Sequence, residues 1–363
     1  MNRQGSWGSG EQALLGAARG GDEDAFGRLV QSHRGKLHAH CYRMLGSVHD
    51  ADDALQETLL RAWRGLPWFD GRSALSSWLY RIATNACLNA IKKRPKRVLP
   101  IDYGHRSADP HDAAAEPLVE SVWIEPYPDE LLASDDRAEG PAARYEQRES
   151  LELAFVAALQ HLPANQRAAL IMSEVLGFSA REVADSLETS TASVNSALQR
   201  ARKLVDERLP EQSQQATLRA LGDERLNAVV EGYMQAMDRA DVGALVTMLS
   251  EDASWSMPPQ PAWFRGHEDI VGFLTENPFK YFRWRHMPTG ANGQPAVGSY
   301  SWAEERGSYV AHSLNVLTLR GPKIAEVISF LDVTRRGVDG PGFTRFLEDR
   351  VFERFGLPNE LPA

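Results

Sequence analysis

Cysteine is scarce in this chain of 363 residues: Cys41 and Cys87 are the only two. They lie far apart in sequence and outside any CxxC pair, so neither a disulfide framework nor a thiolate zinc site can be built from them. Both read as core thiols. Long apolar runs are missing too. No stretch approaches roughly 18 uninterrupted apolar residues, which excludes spanning helices. The first ten residues have neither a basic start nor an apolar run, which argues against a secretion signal. A cytoplasmic protein is expected, with no metal and no cofactor. Disorder is excluded by the opposite measure, because 43% hydrophobic and 9% aromatic residues suffice for a sizeable core. The length is too great for one ordinary domain of about 100–200 residues and suits two or three modules.

Positive charge is in deficit overall, and the deficit has an address. The net charge is −9, and residues 98–140 alone, with eleven acids against Arg106 and Arg137, account for it. Pro100, Pro110, Pro117, Pro126 and Pro128 lie in the same stretch and Pro141 follows it, which forbids a long helix and suits an extended linker. Its run Trp123-Ile124-Glu125-Pro126-Tyr127-Pro128-Asp129 is too aromatic for a passive spacer, and Trp123 and Tyr127 are expected to dock. Just upstream, residues 61–97 carry nine basic residues against the single acid Asp70. That is either a polyanion site or a solvated basic face.

Residues 50–63 read as a helix in which Leu55, Leu59 and Ala62 or Trp63 recur about every four residues, while Asp53, Glu57 and Arg61 line a neighbouring face. On their own, acids at the front of a helix are commonly just favourable dipole placement. A second helix, over about residues 76–93, sends Leu79, Ile82, Ala83 and Ala86 inward. It offers Arg81, Asn85, Asn89 and Lys92 as a polar stripe suited to base edges and phosphates. Gly71 and Ser73 before it imply a mobile loop. Trp78 and Tyr80 either stack on bases or fill the core, and for Trp78 the core is favoured.

The run Asp50-Ala-Asp-Asp-Ala-Leu-Gln-Glu-Thr-Leu-Leu-Arg-Ala-Trp63, followed by Ser76-Ser-Trp-Leu-Tyr-Arg-Ile-Ala-Thr-Asn85, resembles region 2 of bacterial sigma factors of the extracytoplasmic-function group. The resemblance implies that the first helix docks on core RNA polymerase through Asp53, Gln56 and Glu57. It also implies that the second helix and its loop capture the melted −10 element through Arg72, Ser73, Arg81, Asn85 and Asn89.

After the linker, Ser179-Ala-Arg-Glu182 is a capping box opening a short helix with Val183, Ala184 and Leu187 on one face. A second helix, over about residues 191–204, turns Val194, Leu198 and Ala201 inward and Ser193, Asn195, Ser196, Gln199, Arg200, Arg202 and Lys203 outward. Two helices and a short turn make a helix-turn-helix, and small polar residues ahead of Arg and Lys suit a major-groove reader better than a plain helical hairpin. With Leu162-Pro-Ala-Asn-Gln-Arg167 and Gly177-Phe-Ser179, this block resembles sigma region 4, which implies −35 recognition by Ser193, Asn195, Ser196, Gln199, Arg200 and Lys203. Asn195 and Ala197 stand where many family members carry basic residues, so weaker phosphate affinity and a different promoter motif are expected. The linker and recognition-helix runs resemble a subgroup with an extra C-terminal domain.

In the last third, residues 224–252 are helical in pattern. Leu226, Val229, Val230, Tyr233, Met234 and Met237 share a face, a break falls at residues 238–241, and a short helix holds Leu245, Met248 and Leu249. Residues 254–257, 300–302, 309–319 and 324–332 then read as strands, with Gly321-Pro322 as a turn between the last two. The texture resembles the SnoaL-like fold of polyketide cyclases and ketosteroid isomerases over about residues 221–337. Those isomerases need an aspartate base with a tyrosine and a protonated acid. Here an ungapped comparison keeps Tyr233 but puts Met257 at the base and Asn315 at the second acid. Asp252, His267, His312 and Asp332 remain unplaced. A thioether removes no proton, so a binding or docking module is expected in place of an isomerase. Phe343, Phe346, Leu347, Val351 and Phe355 then recur at helical spacing as a packing stripe, against the same domain or a sigma region.

The expected architecture is multidomain: an all-α region 2 bundle (residues 11–97), the linker (98–140), an all-α region 4 helix-turn-helix (141–210), a C-terminal α+β SnoaL-like cone-shaped domain (221–340) and an amphipathic tail (341–363). The expected function is that of a non-enzymatic specificity subunit. Its partners are core RNA polymerase and promoter DNA, with a small ligand in the C-terminal pocket as a further candidate and no membrane. A ligand-sensing or cyclase-like enzyme fused to a DNA binder is the alternative, but it leaves Asp53, Gln56 and Glu57 without a use. An ordinary repressor leaves the first 97 residues idle. In the free chain, the acidic linker is expected to lie against the basic face of residues 92–97.

Overall fold

Ser47 opens the first of the long helices: its hydroxyl accepts the Asp50 amide at 3.1 Å and Val48–Gly65 follows. Leu75–Ile91 packs against it, and with Ser9–Arg19, Glu23–Gln31 and Arg34–Leu45 these helices form a bundle. Tyr42, Met44, Leu37, Leu66 and Leu79 are its fully buried centre. The computed structural model describes residues 9–71, 74–107, 109–110, 112, 122–133, 141–331 and 351–363. The chain divides into two compact units, the first comprising Met1–Lys96, Leu131–Ser150 and Ala154–Leu209.

Cys41 and Cys87, remote in sequence, meet in the bundle core, where burial and the Cys41 contact push the Cys87 thiol well above its usual range. Such thiols are inert packing groups. Burial also pulls His40 down to about 3, and its Nε2 lies 2.9 Å from the Thr84 hydroxyl.

Within the same unit, Ala164–Leu170 runs into a π-turn at Ile171–Val175, and Ala180–Ser186 and Thr191–Asp206 form the helix-turn-helix. The capping box at Ser179 and Glu182 is present in both directions. Glu188, in the turn between the two helices, adopts a left-handed backbone at φ 53. Two buried arginines tie these helices to the bundle. Arg43 donates to the Ser150 carbonyl and hydroxyl, while Arg167 donates to the carbonyls of Met44, Gln160 and Leu162. Burial draws the Arg167 guanidinium down to about 10, so it stays charged at neutral pH.

The second unit comprises Arg97–Glu130, Leu151–Leu153 and Pro210–Ala363. Its sheet consists of β1 (Leu249–Ser256), β2 (Trp263–Arg265), β3 (Trp284–Ala291), β4 (Gln294–Ala303), β5 (Ser308–Arg320), β6 (Lys323–Leu331) and β7 (Glu360–Leu361). The order is β2-β1-β6-β5-β4-β3, with β7 on β5, antiparallel except where β1 meets β6. The helices Asp223–Asp238, Val242–Met248 and His267–Glu276 cover one face, packing Val230, Tyr233, Leu245 and Ile270 onto Val297, Leu317 and Val327. Sequence patterning marks four of these seven strands and misses β2, β3 and β7. Leu249, assigned above to a short helix, begins β1 instead.

On the other face the C-terminal tail returns. It is not the helical stripe that spacing suggests: Val351–Phe355 forms a 3-10 turn and Glu360–Leu361 adds a strand, while Phe343, Phe346 and Leu347 lie outside the described residues. Phe352 packs edge-on against Tyr300 at 5.3 Å, and the Tyr300 hydroxyl donates to the Pro358 carbonyl. The tail's target is therefore its own domain. A Cβ on Gly298 would run into Leu357.

Replacing Arg167 by Ala strands three buried carbonyls together with the Gln160 amide oxygen. A loss of about 2–4 kcal/mol of stability is expected in urea unfolding. A loss under about 0.5 kcal/mol would mean that the seam is not structural.

Candidate functional site

The Val48–Gly65 helix buries Ala51, Ala54, Leu55, Thr58 and Ala62, which leaves Asp53, Gln56 and Glu57 on the opposite, solvent-facing side. Glu57 accepts from Arg61 Nε at 2.6 Å one turn on, and Asp53 lies 3.6 Å from Arg94. Arg94 also pairs with the largely buried Asp50. Leu60, 45% exposed, sits one turn after Gln56 and adds an apolar contact to the acidic face. An exposed acidic row with a hydrophobic neighbour is chemistry for a protein partner.

On the Leu75–Ile91 helix, Arg81 and Asn89 are exposed and Asn85 is half-buried. Arg72 and Ser73 lie outside the described residues. Trp78 packs on Phe69 at 4.8 Å, a core role, while Tyr80 meets Phe178 edge-on at 5.9 Å. Arg81 approaches Glu188 at 3.8 Å. Sequence reasoning missed Trp68. It is 82% exposed just before the loop at Gly71, with its face available for stacking. The signal was Leu66-Pro67-Trp68, where the proline opens a 3-10 turn that leaves the next ring outside the bundle.

The recognition helix, capped by the Ser190 hydroxyl, buries Val194, Leu198, Ala201 and Val205. Ser193, Asn195, Ser196, Gln199, Arg200 and Lys203 are all exposed. Arg202 is paired with Glu174 and Lys203 lies 4.0 Å from Glu207, so Arg200 is the basic side chain of the helix least engaged by neighbouring acids.

The acidic stretch is anchored in the second unit. Trp123 and Tyr127 are buried there. Val98 and Trp123 form a backbone bridge, and Arg97 donates to the Trp123 carbonyl at 2.7 Å and lies 3.5 Å from Glu125. The β3–β4 turn, Asn292-Gly293, is the anchor. The Tyr127 amide donates to Asn292 Oδ1, the Asn292 amide donates to the Tyr127 carbonyl, and the Gly293 amide donates to Asp129. Asn292 Nδ2 also donates to the Leu151 carbonyl, and Gln294 accepts the Leu153 amide. Of residues 92–97, Arg94 faces acids of the first helix, Lys96 donates to His161, and Arg97 meets the linker's Glu125.

On the helix-covered face of the sheet, Asn315 donates to the Tyr233 hydroxyl at 2.9 Å and to Ser299 at 3.1 Å, while Met257 is core. Asp252 is an exposed surface group whose carboxyl is held low by Arg320. His267 bonds the Ser250 carbonyl. Asp332 lies outside the described residues.

Three family models match the chain: sigma-70 region 2 over residues 29–97, sigma-70 region 4 over 152–205, and a SnoaL-like domain over 230–327. The chain is 39% identical over 346 residues to the ECF RNA polymerase sigma factor SigG of Mycobacterium tuberculosis, an alignment covering 93% of this chain and 85% of that protein. It is 46% identical over 74 residues to SigW of Bacillus subtilis, across 20% of this chain and 40% of SigW. Among solved structures, the M. tuberculosis extracytoplasmic function sigma factor SigJ aligns over 82% of this chain and 93% of that chain at 21% identity, with a TM-score of 0.49.

Asn292 adopts φ 58, which glycine tolerates. Asn292→Gly therefore keeps the backbone conformation and removes the side-chain bonds to Tyr127 and Leu151. The expected result is faster amide exchange at Tyr127 and a stability loss of about 1–3 kcal/mol. Unchanged protection of the Tyr127 amide would show that the anchor lies elsewhere.

Proposed function

The chain belongs to the extracytoplasmic-function group of RNA polymerase sigma factors, and on that footing we propose that it binds core RNA polymerase and directs initiation at promoters read through their −10 and −35 elements. The carrying observation is the pairing of two exposed faces on one helical unit: Asp53, Gln56 and Glu57 on the Val48–Gly65 helix, and Ser193 to Lys203 on the recognition helix. The acidic face suits a basic partner surface, and Leu60 beside it supplies apolar area. The polar front of the recognition helix suits base edges, and Arg200 and Lys203 behind it suit phosphates.

The non-template strand of the −10 element is assigned to Arg81, Asn85 and Asn89, with Arg72 and Ser73, which precede them in sequence, and Trp68 as a stacking platform. In the free chain Arg81 is near Glu188 and Tyr80 packs on Phe178, so the −10 and −35 readers part before both engage one duplex. The C-terminal domain regulates in cis. Support for that comes from the linker, whose Trp123 and Tyr127 are buried within the C-terminal unit. The enzyme reading is not favoured, since Met257 fills the place of a base with a thioether.

Run-off transcription with purified core enzyme tests the assignment. Asp53→Lys with Glu57→Lys is expected to weaken core binding at least tenfold in a pull-down while shifting stability by about 0.5 kcal/mol or less. Unchanged affinity removes this face from the interface.

At the promoter, Asn195→Ala or Gln199→Ala is expected to lose roughly 1–3 kcal/mol of discrimination between matched and scrambled −35 elements, whereas Lys203→Ala weakens both alike. Equal losses on both templates for Asn195→Ala would rule out base reading at that position.

A further inference from the structure

The helix-covered face of the C-terminal sheet carries a band of buried polar groups where packing alone calls for apolar ones. Along β4 the inward residues run Val297, Ser299, Ser301, and along β5 Leu317, Asn315, Ser313. His286 on β3 stands directly across from Ser299, which in turn faces Ser313. Most of this band is internally satisfied, since Asn315 bonds Ser299 and Tyr233 and Ser313 reaches Asn315 at 3.4 Å.

One atom is not. The His286 side chain is 0% exposed, its Nδ1 lies 2.6 Å from the carboxylate of Asp238, and its Nε2 is buried with no hydrogen-bond partner among the described residues. A buried polar atom left unmatched costs about 1–3 kcal/mol. Gln260 and Trp302 also carry unmatched buried atoms, but neither of those atoms belongs to a side chain oriented by a carboxylate. An ionised carboxylate only accepts, so Nδ1 carries a proton towards Asp238, and in the neutral imidazole Nε2 then presents a lone pair.

An aromatic cluster adjoins the imidazole through Trp284. Trp284 lies 6.0 Å from His286 at an interplanar angle of 31°, and Phe282 is 5.3 Å from both Trp284 and His312. His312 is the extra residue of a bulge in β5, between Ala311, which faces Tyr300, and Ser313, which faces Ser299; bulges re-aim side chains in this way. Phe282 is 37% exposed and Tyr281 68%, so an aromatic path leads from solvent to Trp284. Tyr233 accepts from Asn315 and keeps its own proton to donate.

We propose that Asp238 and His286 form the recognition element of a small-molecule site in the C-terminal domain, which takes a planar hydroxylated molecule, a phenol or an enol, by accepting its O–H at His286 Nε2. The aromatic rings supply a stacking surface and Tyr233 a second, donating contact for a ligand oxygen. The pair binds and orients, and the site carries no bond-breaking step.

The test uses the full chain, 2-naphthol as probe and 2-methoxynaphthalene as the same shape without a donor. Calorimetry is expected to show 2-naphthol binding at least tenfold tighter than its methyl ether. The 15N resonance of His286 Nε2 is expected to be of acceptor type in the free protein and to move on addition of 2-naphthol. His286→Phe is expected to lose at least tenfold in 2-naphthol affinity. Asp238→Leu removes the acceptor that holds the ring proton on Nδ1, so the preference for the hydroxyl is expected to fall at least threefold. Equal binding of the two probes, absence of 2-naphthol binding at millimolar concentration, or an unchanged preference in Asp238→Leu would each overturn the proposal. None of these readouts depends on transcription.

Discussion

A two-residue turn holds the C-terminal unit together. Asn292 and Gly293 both adopt positive φ, the geometry that joins β3 to β4 most tightly, and the turn then turns its own polar groups outward onto other segments. Asn292 fastens Tyr127 and Leu151, the Gly293 amide fastens Asp129, and the Gly293 carbonyl accepts Gln215 Nε2. Glu152 completes the knot by accepting the amides of Gln214 and Gln215 at the start of their helix, where a carboxylate is favoured. Segments more than 160 residues apart in sequence are thus closed on one hairpin, and the ordering entropy of a Pro-rich acidic stretch is offset by burying Trp123, Ile124 and Tyr127.

The helical unit divides its charges by burial. Arg43 and Arg167 are inside, each spent on carbonyl groups, and they hold the helix-turn-helix against the bundle. Arg81, Arg200 and Lys203 are outside, where guanidinium and ammonium groups stay hydrated and available. Basic residues are therefore structural in one place and solvent-facing in another, and burial decides which. A sigma factor needs this division, because its fold has to survive when the exposed faces exchange water for polymerase and DNA.

The C-terminal domain sets polar side chains inside a packed face. Tyr233 and Asn315 meet at hydrogen-bond distance on the helix-covered face, but Met257 is packed among Trp255 and Val327 as core. Met257 is a thioether and removes no proton, whereas the Asp238 carboxylate is engaged with His286. What persists is a polar band in a closed face, which suits recognition better than proton transfer.

Local chemistry made the helical half readable from sequence. The Ser179–Glu182 capping box, the Val194, Leu198, Ala201 spacing and the buried side of Val48–Gly65 depend on residues within two turns of each other, and these helices appear within about two residues of where patterning puts them. The C-terminal half was legible as strands and helices but not as pairings: β3 was missed although Asn292-Gly293 is a strong hairpin signal, because its inward residues Trp284, His286 and Pro288 do not alternate by hydrophobicity. Sequence alone determined the two α blocks, the helix-turn-helix and the acidic, proline-rich character of residues 98–140. Only the tertiary structure decided where Trp123 and Tyr127 lie, that Cys41 meets Cys87, that the tail folds back on Tyr300, and that Asp238 orients His286. Each of those contacts joins residues far apart in the chain, and such pairs are selected by packing and by matching buried polar groups, which no local period encodes.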